Sequence, residues 1–67
     1  MRITSQKEVI KKLSGGFRFE EYEQYSRTIY YLTNYKDSEI TVPRKTIDKL
    51  IDNGVIDWQL DYKPNAL

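Results

Sequence analysis

The chain contains no cysteine and no histidine. Without thiols it has neither disulfide staples nor a thiol nucleophile. Without either residue, zinc sites of the Cys/His type, iron–sulfur clusters and haem ligation are excluded, as is any triad with an imidazole base. Lack of cysteine also fits a cytoplasmic protein. Long apolar runs are missing too. No segment approaches the roughly 18 residues that span a bilayer, and the start of the chain has no signal-peptide core. Charge of one sign does not dominate: 11 basic residues face 10 acidic ones, a net of +1. A strongly basic chain would by itself point to nucleic acid, and this balance does not.

What is present suits a small folded unit. At 67 residues there is length for one domain, and a domain of this size is only marginally stable. Hydrophobic residues at 39% suffice for a minimal core and exceed what a disordered tail carries. The expectation is a soluble, intracellular, non-enzymatic protein with no metal or cofactor. Six tyrosines are more phenol groups than a minimal core needs, because each buried hydroxyl wants a partner. Some of these rings are expected to sit half exposed. Charge is placed unevenly. Residues 1–18 hold five bases and one acid, residues 19–40 five acids and two bases, and residues 41–67 four of each.

A first helix is predicted over about 5–14. Ser5 and Glu8 have capping-box spacing, Val9, Ile10 and Leu13 share a face, and Gly15 is expected as the left-handed terminator. Alternation at Phe17–Glu20 and the β-branched, aromatic run Thr28–Thr33 predict two strands. The link Glu20–Arg27 has no Gly, Pro or Asn, which leaves 20–27 as strand, loop or helix. Residues 34–38 read as a polar loop, and Glu39–Val42 as a short extended lead-in able to pair with 28–33. Pro43 opens a second helix with Ile47, Leu50 and Ile51 on one face and Gly54 as its left-handed cap. Ile56, Trp58, Leu60 and Tyr62 then alternate with Asp57, Gln59 and Asp61, predicting a last strand with Trp58 in the core. Pro64 ends it, and residues 63–67 are expected to fray. The predicted fold class is α+β, a two-layer domain of order α-β-β-α-β with a three-stranded antiparallel sheet over residues 1–67. Its expected core is Ile3, Val9, Ile10, Leu13, Phe17, Phe19, Ile29, Tyr31, Ile47, Leu50, Ile51, Val55, Ile56, Trp58 and Leu60.

The segments EVIKKLSGGF at 8–17, TIYYLTN at 28–34 and ITVPRKTIDKLIDNGVID at 40–57 together resemble small winged-helix-like proteins of bacteria and their phages. The pattern rests on Val42, Thr46, Ile47, Leu50, Ile51, Gly54 and Ile56. A full winged helix would have three helices, and only two are evident here. The resemblance implies a helix and a wing that touch DNA, in a regulator or accessory factor of a phage or other mobile element.

Three groups of residues are candidates for binding. Arg44, Lys45, Thr46 and Lys49 lie at the start of the second helix, where the macrodipole favours anions and recognition helices meet DNA. Lys7, Lys11, Lys12 and Arg18 could add phosphate contacts. The bland alternative for both is a solvated helix face. Tyr22, Tyr25, Tyr30 and Tyr35, interleaved with Arg18 and Arg27, could stack the bases of a single strand or anchor a protein interface. The neighbouring Glu20, Glu21 and Glu23 favour the protein partner, for example a host enzyme inhibited by a phage-encoded module. Simple cross-strand packing is the bland reading here. A homodimer through an exposed strand edge is a third reading. Paired catalytic carboxylates have no pocket to split their pKa values. The aspartates do not match an EF-hand, and Gly15-Gly16 is not followed by the GK[ST] of a phosphate loop.

Overall fold

A computed structural model describes residues 2–36 and 38–64. The elements run α1 (Gln6–Ser14), β1 (Arg18–Gln24), β2 (Arg27–Thr33), β3 (Glu39–Val42) and α2 (Arg44–Asp52). Ser5 caps α1, its hydroxyl accepting from the Glu8 N–H at 3.5 Å. Val9 and Leu13 of α1 are buried. The left-handed residue after the helix is Gly16 at φ 98° and not Gly15, which has φ −89° and returns its N–H to the carbonyls of Lys11 and Lys12.

The sheet is antiparallel in the order β1-β2-β3. Residues 20–27 are resolved as strand, a two-residue turn, and strand. Tyr25 and Ser26 form the turn with φ of 51° and 63°, the positive pair that a tight hairpin of matching twist requires. These residues lack the Asn-Gly signature, which is why no turn was visible in the sequence. β1 pairs along its whole length, from Arg18↔Thr33 to Gln24↔Arg27. β3 pairs only from Thr33↔Glu39 to Tyr30↔Val42, so β2 extends past it towards the hairpin tip.

The α+β class, the two helices and the three-stranded antiparallel sheet agree with expectation, but the order of elements is α-β-β-β-α. The third strand is the lead-in at 39–42, and 56–62 is not a strand. There the Asp57 carboxylate accepts from the N–H groups of Gln59 (2.9 Å) and Asp61 (3.0 Å), and Leu60 takes φ 66°. The chain doubles back so that Ile56 bridges Tyr62. Alternating hydrophobicity in this segment is therefore a folded-back loop, and Trp58 is 82% exposed at its bend.

The core lies between the helices and one face of the sheet. Phe19, Tyr30, Leu32, Ile40 and Val42 come from the strands, Val9, Leu13, Ile47 and Leu50 from the helices, and Ile3, Val55 and Ile56 from the flanking segments. Ile10, Phe17, Ile51, Leu60 and Tyr62 pack around it half-buried. Ile29 and Tyr31, expected inside, lie on the opposite face and are only half-buried. Side chains alternate across a strand, so choosing the wrong phase for β2 exchanges its two faces. The Asn53 side-chain amide donates to Gln6 Oε1 at 2.8 Å, and the Tyr62 and Ser14 hydroxyls meet at 3.0 Å, tying α2 and the last segment to α1. Residues 65–67 of the tail expected to fray lie outside the described residues. No helix among the described residues is long and apolar enough to cross a membrane.

Candidate nucleic-acid interface

Because β3 stops at Val42, the edge of β2 facing away from β1 has no strand beside Arg27–Ile29 among the described residues. Pro43 then turns the chain into α2. The gap is an open groove of about 590 Å³. Its walls carry Arg2, Arg27 and Arg44 together with Thr28, Tyr30 and Thr41, and no carboxylate is among the lining residues. Each arginine arrives by a different route. Arg2 is placed by a parallel bridge to Thr41, with the Ile3 N–H donating to the Thr41 carbonyl at 3.0 Å. Arg27 is the first residue of β2 after the turn, and Arg44 is the first residue of α2.

Arg44 is held in place. Its Nη1 donates to the Tyr30 hydroxyl at 2.6 Å, and the guanidinium lies 5.5 Å from the Tyr30 ring centroid. Nε donates to Asp48 Oδ1 at 2.9 Å, one helical turn on. The hydrogen bond that Arg44 donates to Asp48, with the field of Tyr30 and Asp48, pushes the Arg44 pKa above its ordinary value, which reinforces a charge that a guanidinium keeps in any case. A guanidinium has five donors, and two are engaged here. The Asp48 pair is more than half exposed on both sides, the setting in which ion pairs contribute least and exchange most readily. This i, i+4 pairing partly neutralises the residue expected to carry the contacts.

The end of α2 adds to the groove. Pro43 is its N-cap and supplies no side-chain hydrogen bond, and no acid occupies the first turn. Thr46 and Ile47 N–H groups bond to the Pro43 carbonyl. That leaves the Arg44 and Lys45 N–H groups without intrahelical partners, at the positive end of the helix dipole.

The remaining expected contact residues are dispersed. Lys45 and Lys49 are exposed and have no ion pair among the described residues. Thr46 is buried, with its hydroxyl donating to the Thr4 carbonyl at 3.0 Å, so it ties α2 to the segment before α1 and does not face a ligand. Lys11 and Lys12 line a separate recess with Ile3, Glu8 and Phe17, where Lys12 Nζ sits 5.2 Å from the Phe17 centroid. The groups expected to receive a protein partner do not form one surface either. Tyr30 is core. Tyr22 lies on the opposite sheet face, edge-on to Tyr31 at 5.6 Å. Tyr25 and Tyr35 are exposed at opposite ends of β2, about 20 Å apart for a strand of that length. Glu20 pairs with Arg18 at 3.1 Å. Glu20 and Glu21 project from opposite faces of β1, as neighbours on a strand must.

Sequence reasoning missed Arg2 and Arg27 as partners of Arg44. The hairpin register would have revealed Arg27, but the turn that sets it was not recognisable. No family model, curated protein or solved structure matches this chain.

Proposed function

We propose that the protein is a small non-enzymatic DNA-binding protein that grips the phosphate backbone through the groove of Arg2, Arg27 and Arg44. The observation that carries this reading is that three arginines from three separate parts of the chain line one groove without a lining carboxylate. Arginine is the side chain suited to bidentate phosphate contacts. The uncapped start of α2 beside it favours the same anionic ligand, with Lys45 and Lys49 exposed on the adjoining helix surface. On the winged-helix-like resemblance, α2 would be the element nearest the DNA and the β1–β2 hairpin would act as the wing. On that resemblance, the protein would serve a phage or mobile element in the cytoplasm.

The test is binding of a labelled random-sequence DNA, followed by anisotropy at low and moderate salt. Affinity should fall steeply with salt. Arg2→Ala with Arg27→Ala should abolish binding at moderate salt, while Lys11→Ala with Lys12→Ala should leave most of it. No binding at low salt would reject the reading.

A further inference from the structure

A second, smaller recess of about 110 Å³ adjoins the arginine groove, and Arg44 and Tyr30 line both. Trp58, Glu21, Ile47 and Leu60 are also in its lining. Trp58 is 82% exposed, an unusual state for the largest apolar side chain in a protein this short of core. The loop that displays it is firmly built. Asp57 takes the N–H groups of Gln59 and Asp61 and pairs with Lys63 Nζ at 3.2 Å. The Lys63 N–H closes onto the Val55 carbonyl at 2.8 Å. An indole ring held out on a braced loop is a stacking platform presented at little entropic cost.

The geometry points to this recess as a site for one unpaired nucleic-acid base, stacked on Trp58 while its backbone phosphate rests on Arg44. The inference rests on the phosphate-groove reading and adds the ligand's form: a single strand, or a duplex end or bubble with a base turned out. Base–aromatic stacking is sequence-tolerant and strong enough to set such a preference. Glu21 gives the recess its polarity. A carboxylate repels phosphate, so the base and not the backbone enters. The same carboxylate accepts a hydrogen bond from an exocyclic amino group, the pairing by which acidic side chains read cytosine. Cytosine should therefore be preferred to thymine, which offers a carbonyl at that position.

Trp58 is the only tryptophan in the chain, so its emission reports the site directly. The full chain is titrated with short oligo(dC), oligo(dT) and a duplex of equal length at low salt. Oligo(dC) is expected to quench Trp58 emission most strongly and the intact duplex least. With labelled oligonucleotides, Trp58→Ala should weaken oligo(dC) binding about tenfold, as loss of one stacked base does, and leave duplex binding unchanged. Trp58→Phe should recover part of the loss, and Glu21→Gln should level dC against dT. Circular dichroism confirms that each variant is folded. Salt-sensitive duplex binding without quenching by any single strand, and with Trp58→Ala at wild-type affinity, would overturn the base site and leave the groove standing. Absence of binding to every nucleic acid at low salt would overturn both.

Discussion

Tyr30 and Arg44 stand fourteen residues apart in the chain and meet at 2.6 Å, hydroxyl to guanidinium. Tyr30 is in the core and Arg44 is exposed, so the contact fixes a surface cation from a buried foundation. Tyr30→Phe keeps the ring and removes the acceptor. The expected result is a folded protein with slightly lowered thermal stability and clearly weaker DNA binding, since Arg44 is no longer held towards the groove. Unchanged affinity in the anisotropy assay would show that Arg44 needs no such positioning.

The phase of β2 makes a second prediction. Leu32 is fully buried and pairs with Phe19 and Ile40, whereas Ile29 is half-buried on the other face beside Tyr22. Leu32→Ala should cost about 2–5 kcal/mol, as large-to-small changes in a packed core do, enough to unfold a marginal domain. Ile29→Ala should cost well under half as much. Urea denaturation of both variants checks the order, and the reverse order would mean that the strand faces are exchanged.

These two residues also show what the sequence made legible. Both helices were readable because each carries its own stop signals and a three-to-four residue apolar period, down to Gly54 at φ 75°. In Thr28–Thr33 the two phases are chemically alike, each with one tyrosine and one branched aliphatic residue, so periodicity alone could not choose. The alternation of Ile40 and Val42 in β3 settles it, because they pair with Leu32 and Tyr30, and that is information from another strand. Trp58 was misplaced because loop and strand share the same alternation until the Asp57 hydrogen bonds are seen. In the arginine groove, Arg44 was readable as a helix-start cation. Arg2 and Arg27 were not, since only the strand register brings them there.

The hairpin turn is open to improvement. Tyr25 and Ser26 both occupy the left-handed region, which costs residues with a Cβ roughly 1 kcal/mol each. Replacing the pair by Asn-Gly, the favoured sequence for this turn, should raise stability by about 1 kcal/mol and the melting temperature by roughly 4–8 °C. A lower melting temperature would mean that the exposed Tyr25 ring stabilises the hairpin tip by more than its backbone strain costs.

Acid should loosen the Trp58 loop. The N–H of Asp61, then Lys63 and the N–H of Gln59, hold the Asp57 carboxyl below its ordinary value of 3.8, against a smaller opposing effect of desolvation. A depressed folded-state pKa means stability that is present above the unfolded value and lost as pH falls through the folded one. Wild type should therefore exceed Asp57→Ala in melting temperature at neutral pH. The gap should narrow below about pH 4, with Trp58 emission changing over the same range. A gap independent of pH would place the loop's support elsewhere.

Phosphate binding in the groove requires its three arginines to act together. The direct measurement is the slope of log affinity for DNA against log salt concentration, for wild type and for Arg2→Ala, Arg27→Ala and Arg44→Ala singly and combined. Each substitution should lower the slope by about one, and the triple variant by about three times the single change. A triple variant with the wild-type slope would mean that the groove holds no phosphate.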